Sequence, residues 1–208
     1  MKHIQESIIG RKRVAEQNKY QMTSETKTIN GHKLHRILAL KDIPSCDIRK
    51  GDYGGYIEST NNLDQAGDCW VGEHACIWEN ARVYENGYVG NQVMVFNNAK
   101  VYGGAEVYGN AKVYGGAEVY GNAKVYGGAE VYGNAKVYGG AEVYGDAEVY
   151  GNANVFGNAE VCGWSIIFGG AKVYDNAIIY NQAKVSGNAK VCGSAKVDYN
   201  INRGTVNK

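Results

Sequence analysis

Residues 99–146 read A-K-V-Y-G-G-A-E-V-Y-G-N four times in succession, the last copy ending in Asp146 in place of Asn. Each copy is two hexads of a small residue, a Lys or Glu, valine, tyrosine, glycine, and then Gly, Asn or Asp. A small residue and a valine two positions apart share one side of a strand, and the Lys or Glu between them takes the other. The glycine two residues after the valine stands where a bend with unusual φ is needed. The hexad therefore encodes a short strand with inward Ala and Val, followed by a corner.

The pattern extends well beyond the perfect copies. The aliphatic position runs from Val71 through Ile77, Val83, Val89 and Val95 into the tract, and on through Val161, Ile167, Val173, Ile179, Val185 and Val191 to Val197. Two residues before each stands Cys69, Ala75, Ala81, Gly87, Val93 or Ala99, and thereafter Ala except at Ser165. This register, expected to hold from about residue 69 to 201, resembles the left-handed parallel β-helix of hexapeptide-repeat proteins. In that family three hexads make one triangular coil, implying a little over seven coils here. The segments G-G-Y-I-E (54–58) and G-D-C-W-V (67–71) further resemble an uncharacterised bacterial and phage branch, often labelled as transferases. That label is inherited from fold relatives, and a fold does not specify an activity.

The expected fold class is thus all-β: a single left-handed parallel β-helix over 69–201 with an N-terminal β-hairpin cap. Asn30-Gly31 lies between two β-prone runs and is a strong hairpin signal, because both residues accept φ > 0. The cap and joint are assigned to 19–68, with Pro44, Gly51, Gly54 and Gly55 marking the joint, and residues 202–208 form a tail. Residues 1–18 are a basic segment in which Ile4, Ile8 and Val14 have loosely helical spacing, interrupted by Gly10.

Charge is segregated although the formal net is +1. Residues 1–50 hold eleven Lys/Arg against five acids, 51–160 five against fourteen, and 161–208 six against two. Five cysteines without regular spacing favour reduced thiols over a disulfide framework. With no secretory signal and no long apolar run, a cytoplasmic protein without membrane association is expected.

With three hexads to a coil, residue n stacks on residue n + 18. The Lys/Glu alternation, which repeats every two hexads, then inverts at every step: Lys100, Glu118 and Lys136 form one column, Glu106, Lys124 and Glu142 another. Alternating sign leaves no broad potential, which disfavours nucleic acid as a partner. The residue after each aliphatic also points outward and is usually aromatic. One column is Trp78, Phe96, Tyr114, Tyr132, Tyr150 and Phe168; a second is Tyr84, Tyr102, Tyr120, Tyr138, Phe156 and Tyr174. The third is interrupted: Gly90, Tyr108, Tyr126, Tyr144, Cys162, Tyr180. Stacked rings shield a thin Ala/Val core and can also mark protein contacts.

Chemistry-bearing clusters are sparse. Cys69, His74 and Cys76 have the residue types of a zinc site, yet the register points them in three directions, so no metal is expected. His32 and His35 fall on opposite faces of one strand. Cys162 and Cys192 occupy ring positions on different faces. The family resemblance implies acyl transfer by a histidine near a subunit interface, for which His74 is the sole, weak candidate inside the helix. No hexad is interrupted by a loop that would clamp a coenzyme, so no catalytic residue and no cofactor is assigned. The favoured reading is a non-enzymatic rod presenting aromatic faces or its ends to itself, as a dimer or trimer, or to a protein partner. The alternatives are an acyltransferase-like enzyme and a phage-encoded inhibitor or small-molecule sponge.

Overall fold

The computed structural model describes residues 18–208. The short helix expected within residues 4–18 lies outside the described residues, apart from Asn18. The body of the chain is a parallel β-solenoid built on three sheets. The first face contains Cys76–Ile77, Met94–Val95 and Lys112–Val113; the second Arg82–Val83, Lys100–Val101 and Glu118–Val119; the third Trp70–Val71, Tyr88–Val89 and Glu106–Val107. Within each, strands pair in parallel with the strand three hexads on, as Val107 with Val125 and Val113 with Val131. Backbone N–H groups donate across coils even at the corners, where Gly104 N lies 2.6 Å from Gly121 O.

The hexad grammar explains each element. Ala and Val point inward and are wholly buried throughout the tract, filling an interior too narrow for larger residues. The first corner residue adopts left-handed φ, +71° at Gly115 and +70° at Gly133. In coils outside the tract Glu79, Glu85, Asn91, Asn97, Asp175 and Asn181 take the same conformation. Glycine is therefore one solution at this corner, and asparagine, aspartate or glutamate is another.

Both ends depart from period six. The first parallel rung forms at Tyr56–Ile57, upstream of residue 69, and pairs with Cys76–Ile77, two positions beyond the regular three hexads. Leu63 likewise bridges Val83. At the other end the register does not run on to residue 201 as expected. Ile201 bridges Val185, two positions short of a full coil, and Thr205–Asn207 pairs with Lys190–Cys192, three positions short. Val197 is thus the last residue in hexad phase, and Tyr199 and Asn200 shortcut the corner.

The cap is the expected hairpin. Strand β1 (Tyr20–Ile29) and strand β2 (His32–Ala39) pair antiparallel around Asn30 and Gly31, both at positive φ, and β2 joins β3 (Tyr53–Ile57), which leads into the first face. Tyr20, Ile37, Ala39 and Ile43 close the end of the Ala/Val core, while Leu34 packs outside on Cys76 and Trp78. Lys19 is fully buried at this lip. Its ammonium donates to the carbonyls of Ala66, Gly67 and Cys69 at 3.3, 3.2 and 2.8 Å, meeting the requirement that a buried charge be fully hydrogen-bonded. The longer step from Leu63 to Val71 supplies these carbonyls.

The corner and coil geometry makes two outcomes testable. Any Cβ at Gly133 would meet Gly151 N at 2.9 Å, and Gly133→Val is expected to cost about 2 kcal/mol or more because a β-branched residue is also strained in the left-handed conformation, while Gly133→Asn costs about 1 kcal/mol or less, since Asn97 takes this conformation at an equivalent corner and accepts from Gly115 N. Chemical denaturation measures both. Deleting residues 111–122 removes two whole hexads and should leave a folded protein, whereas deleting 111–113 alone should abolish the cooperative transition seen by circular dichroism.

Candidate interaction surfaces

The first ring column stacks without a break from Trp78 to Phe168, with centroid separations of 4.6–5.2 Å and planes within 12° of parallel. The second runs from Tyr84 to Tyr174 at 4.7–5.0 Å. On the third face only Tyr108, Tyr126 and Tyr144 stack. Trp78 is covered by the hairpin; the other rings of the two long columns are half-buried. Because the rings stack along the axis, their faces cover one another. What solvent meets is a row of ring edges and hydroxyls, not an open aromatic platform.

Beside the rings run the charged columns. Lys100 and Lys136 both reach Glu118, at 3.2 Å each; Lys112 meets Glu130 at 2.7 Å and Lys124 meets Glu106 at 3.9 Å. Tyrosine hydroxyls cross-link the two kinds of column by donating to a glutamate one coil on: Tyr114 to Glu130, Tyr126 to Glu142, Tyr132 to Glu148 and Tyr144 to Glu160, at 2.9–3.1 Å. Alternation of sign stops where the perfect repeats stop. Glu130 lies opposite Glu148, Glu142 opposite Glu160, and Lys172 opposite Lys190.

These contacts shift titrations. Burial first, then the charge of Glu118, pushes Tyr102 up to about 12. Burial, followed by the hydrogen bond to Glu130, does the same for Tyr114. Burial opposes ionisation of Glu118, but Lys100 and Lys136 outweigh it and hold this carboxyl below its ordinary value.

The reactive types singled out in the sequence do not converge. Cys69 is buried with its Sγ 3.0 Å from Lys19 Nζ. Cys76 is buried beneath the hairpin, 3.8 Å from Lys27 Nζ. His74 stands two-thirds exposed, with its Nε2 3.9 Å from Glu73 Oε2. All five cysteines are free, Cys192 being buried under the C-terminal strand rather than exposed at its ring position. His35 bonds the Thr23 carbonyl on the cap.

Sequence reasoning missed a polar latch between cap and coil. His32 Nδ1 lies 2.9 Å from Glu58 Oε1 and its Nε2 lies 3.5 Å from Glu79 Oε1. Glu58 also accepts from Glu79 N at 2.6 Å, and Glu79 accepts from Asn97 N at 2.7 Å. The hydrogen bond from His32, then that from Glu79, holds the Glu58 carboxyl below its ordinary value. Nothing in the spacing of 32, 58 and 79 announces this; the lengthened first coil creates it.

No protein-family model matches the chain, and no curated protein resembles it closely enough to lend it a function.

The titrations yield two expectations. A raised tyrosine value means the fold holds the protonated form, so this stabilisation is complete below pH 10 and disappears as pH rises through about 12. Phenolate absorbance of the ladder should therefore lag that of free tyrosine and appear together with unfolding. Ordinary titration in a folded chain would contradict the stacked geometry. For Glu58 and Glu118 the sign is opposite: stabilisation is present above about pH 4 and lost as pH falls through their lowered folded values. Melting temperatures of Glu58→Gln and Glu118→Gln should converge on the parent at low pH.

Proposed function

We propose that this chain is a non-enzymatic structural or interaction protein, a rigid rod whose coils wind left-handed as in hexapeptide-repeat proteins and which self-associates as a dimer or trimer. The observation that supports it most is the pair of ring columns running six coils without an intervening loop. A solenoid lengthened by whole hexads keeps its register, and one lengthened by whole coils of three hexads also keeps its faces, which suits a spacer or scaffold better than a fixed catalytic constellation. The exposed ring edges, hydroxyls and charges form surfaces that bind by complementarity over area. No helix among the described residues is long and apolar enough to cross a membrane.

Light scattering over a concentration series tests the proposal: a defined dimer or trimer is expected, and a monomer throughout would contradict self-association. Acyl transfer that disappears in His74→Ala would overturn the non-enzymatic reading.

A further inference from the structure

Three residues break the hexad grammar along one edge of the rod. From Lys100 to Lys196 the outward strand position is Lys, Glu or Asn except at Ile166 and Ile178, and the last position of each corner is small or polar except at Trp164. Ile166 lies on the first face, Ile178 lies on the third, and Trp164 occupies the corner between those two faces. Trp164 is 64% exposed, more than Tyr53 or Tyr199. Both isoleucines are half-buried.

Charge is arranged around these residues in one sense. On the first face the column runs Glu148, Ile166, Lys184, and on the third Glu160, Ile178, Lys196, one coil per step. At the corner Asp146 precedes Trp164 by one coil. The edge therefore reads acid, apolar, base along the rod. Among the described residues, none of these carboxylates and lysines forms an ion pair. Glu148 and Glu160 accept from the neutral hydroxyls of Tyr132 and Tyr144, which leaves their charge in place. The second face has no such order: below Lys136 its column runs Asn154, Lys172, Lys190, without an apolar residue.

A strip with acid at one end, base at the other and an apolar centre is complementary to its own reversed copy. Laid antiparallel, a second copy sets carboxylates against lysines at both ends and covers Trp164, Ile166 and Ile178 between them. Laid parallel, it would set like charges against each other. We propose that this edge is the self-association surface, along which two copies of the chain pack antiparallel about a two-fold axis with Trp164 near the centre. The inference rests on the self-association reading above and narrows it to a dimer. The strip covers three to four coils, about 15 Å at the strand spacing, so the contact belongs with small, exchanging interfaces.

Light scattering and tryptophan fluorescence over a concentration series test this. Trp70 and Trp78 are already buried, so a blue shift of emission on association reports Trp164. A dimer with that shift is expected. Trp164→Asn places a residue that the hexad accepts at this corner position, as at Asn110, and should fold as the parent does while weakening dimerisation at least about ten-fold. Lys184→Glu with Lys196→Glu should weaken it as much, as should Glu148→Lys with Glu160→Lys, and the two variants mixed should recover a heterodimer. Lys172→Glu with Lys190→Glu, on the second face, should dimerise as the parent does. A parent trimer, undiminished association in Trp164→Asn, or no recovery on mixing two variants that are folded by circular dichroism would overturn this edge and leave self-association standing. A parent that stays monomeric up to about 1 mM would overturn both.

Discussion

Each short strand depends on one constraint: its N–H groups must meet the carbonyls of the next coil. Lys100 N donates to Ala117 O at 2.9 Å and Tyr102 N to Val119 O at 3.0 Å, and the same pair of bonds recurs in coil after coil. A strand of two residues has almost no stability of its own, so register with its neighbours is the source of order. Once that register is set, Ala falls on Ala, Val on Val, Tyr on Tyr, and Lys on Glu. The ladders are consequences of the backbone pairing, and they reinforce it.

Much of this was legible in the chain because a six-residue grammar repeated so often leaves few alternatives. Corner glycines, inward Ala and Val, the Lys100–Glu118–Lys136 column and the Asn30-Gly31 hairpin all follow from local rules. What was not legible comes from places where the count changes. The step from Leu63 to Val71 produces the cage around Lys19, and the step from Val197 to Ile201 closes the far end. Exposure was also misjudged from pattern alone: Trp78 and Cys192 have outward positions but lie beneath the hairpin and the last strand. No hexad rule carries information about what later folds over a face.

Stacking changes what the aromatic columns can do. Rings that cover one another no longer offer their faces, so the long columns contribute rigidity, and recognition passes to edges, hydroxyls and charges. Specific chemistry then belongs where the repetition fails, as at the cap with its His32 latch. The near-identical central copies set length and stiffness; the divergent hexads around them carry what distinguishes one surface from another.

The central claim is that residue n stands directly against residue n + 18. Lys100→Cys with Glu118→Cys places two thiols on paired positions of adjacent parallel strands, where Cα atoms about 5 Å apart allow a disulfide. Lys100→Cys with Lys112→Cys places them on different faces. Peptide mapping after mild oxidation should find the 100–118 bridge and no 100–112 bridge. The reverse result, or neither bridge in a folded protein, would contradict the account.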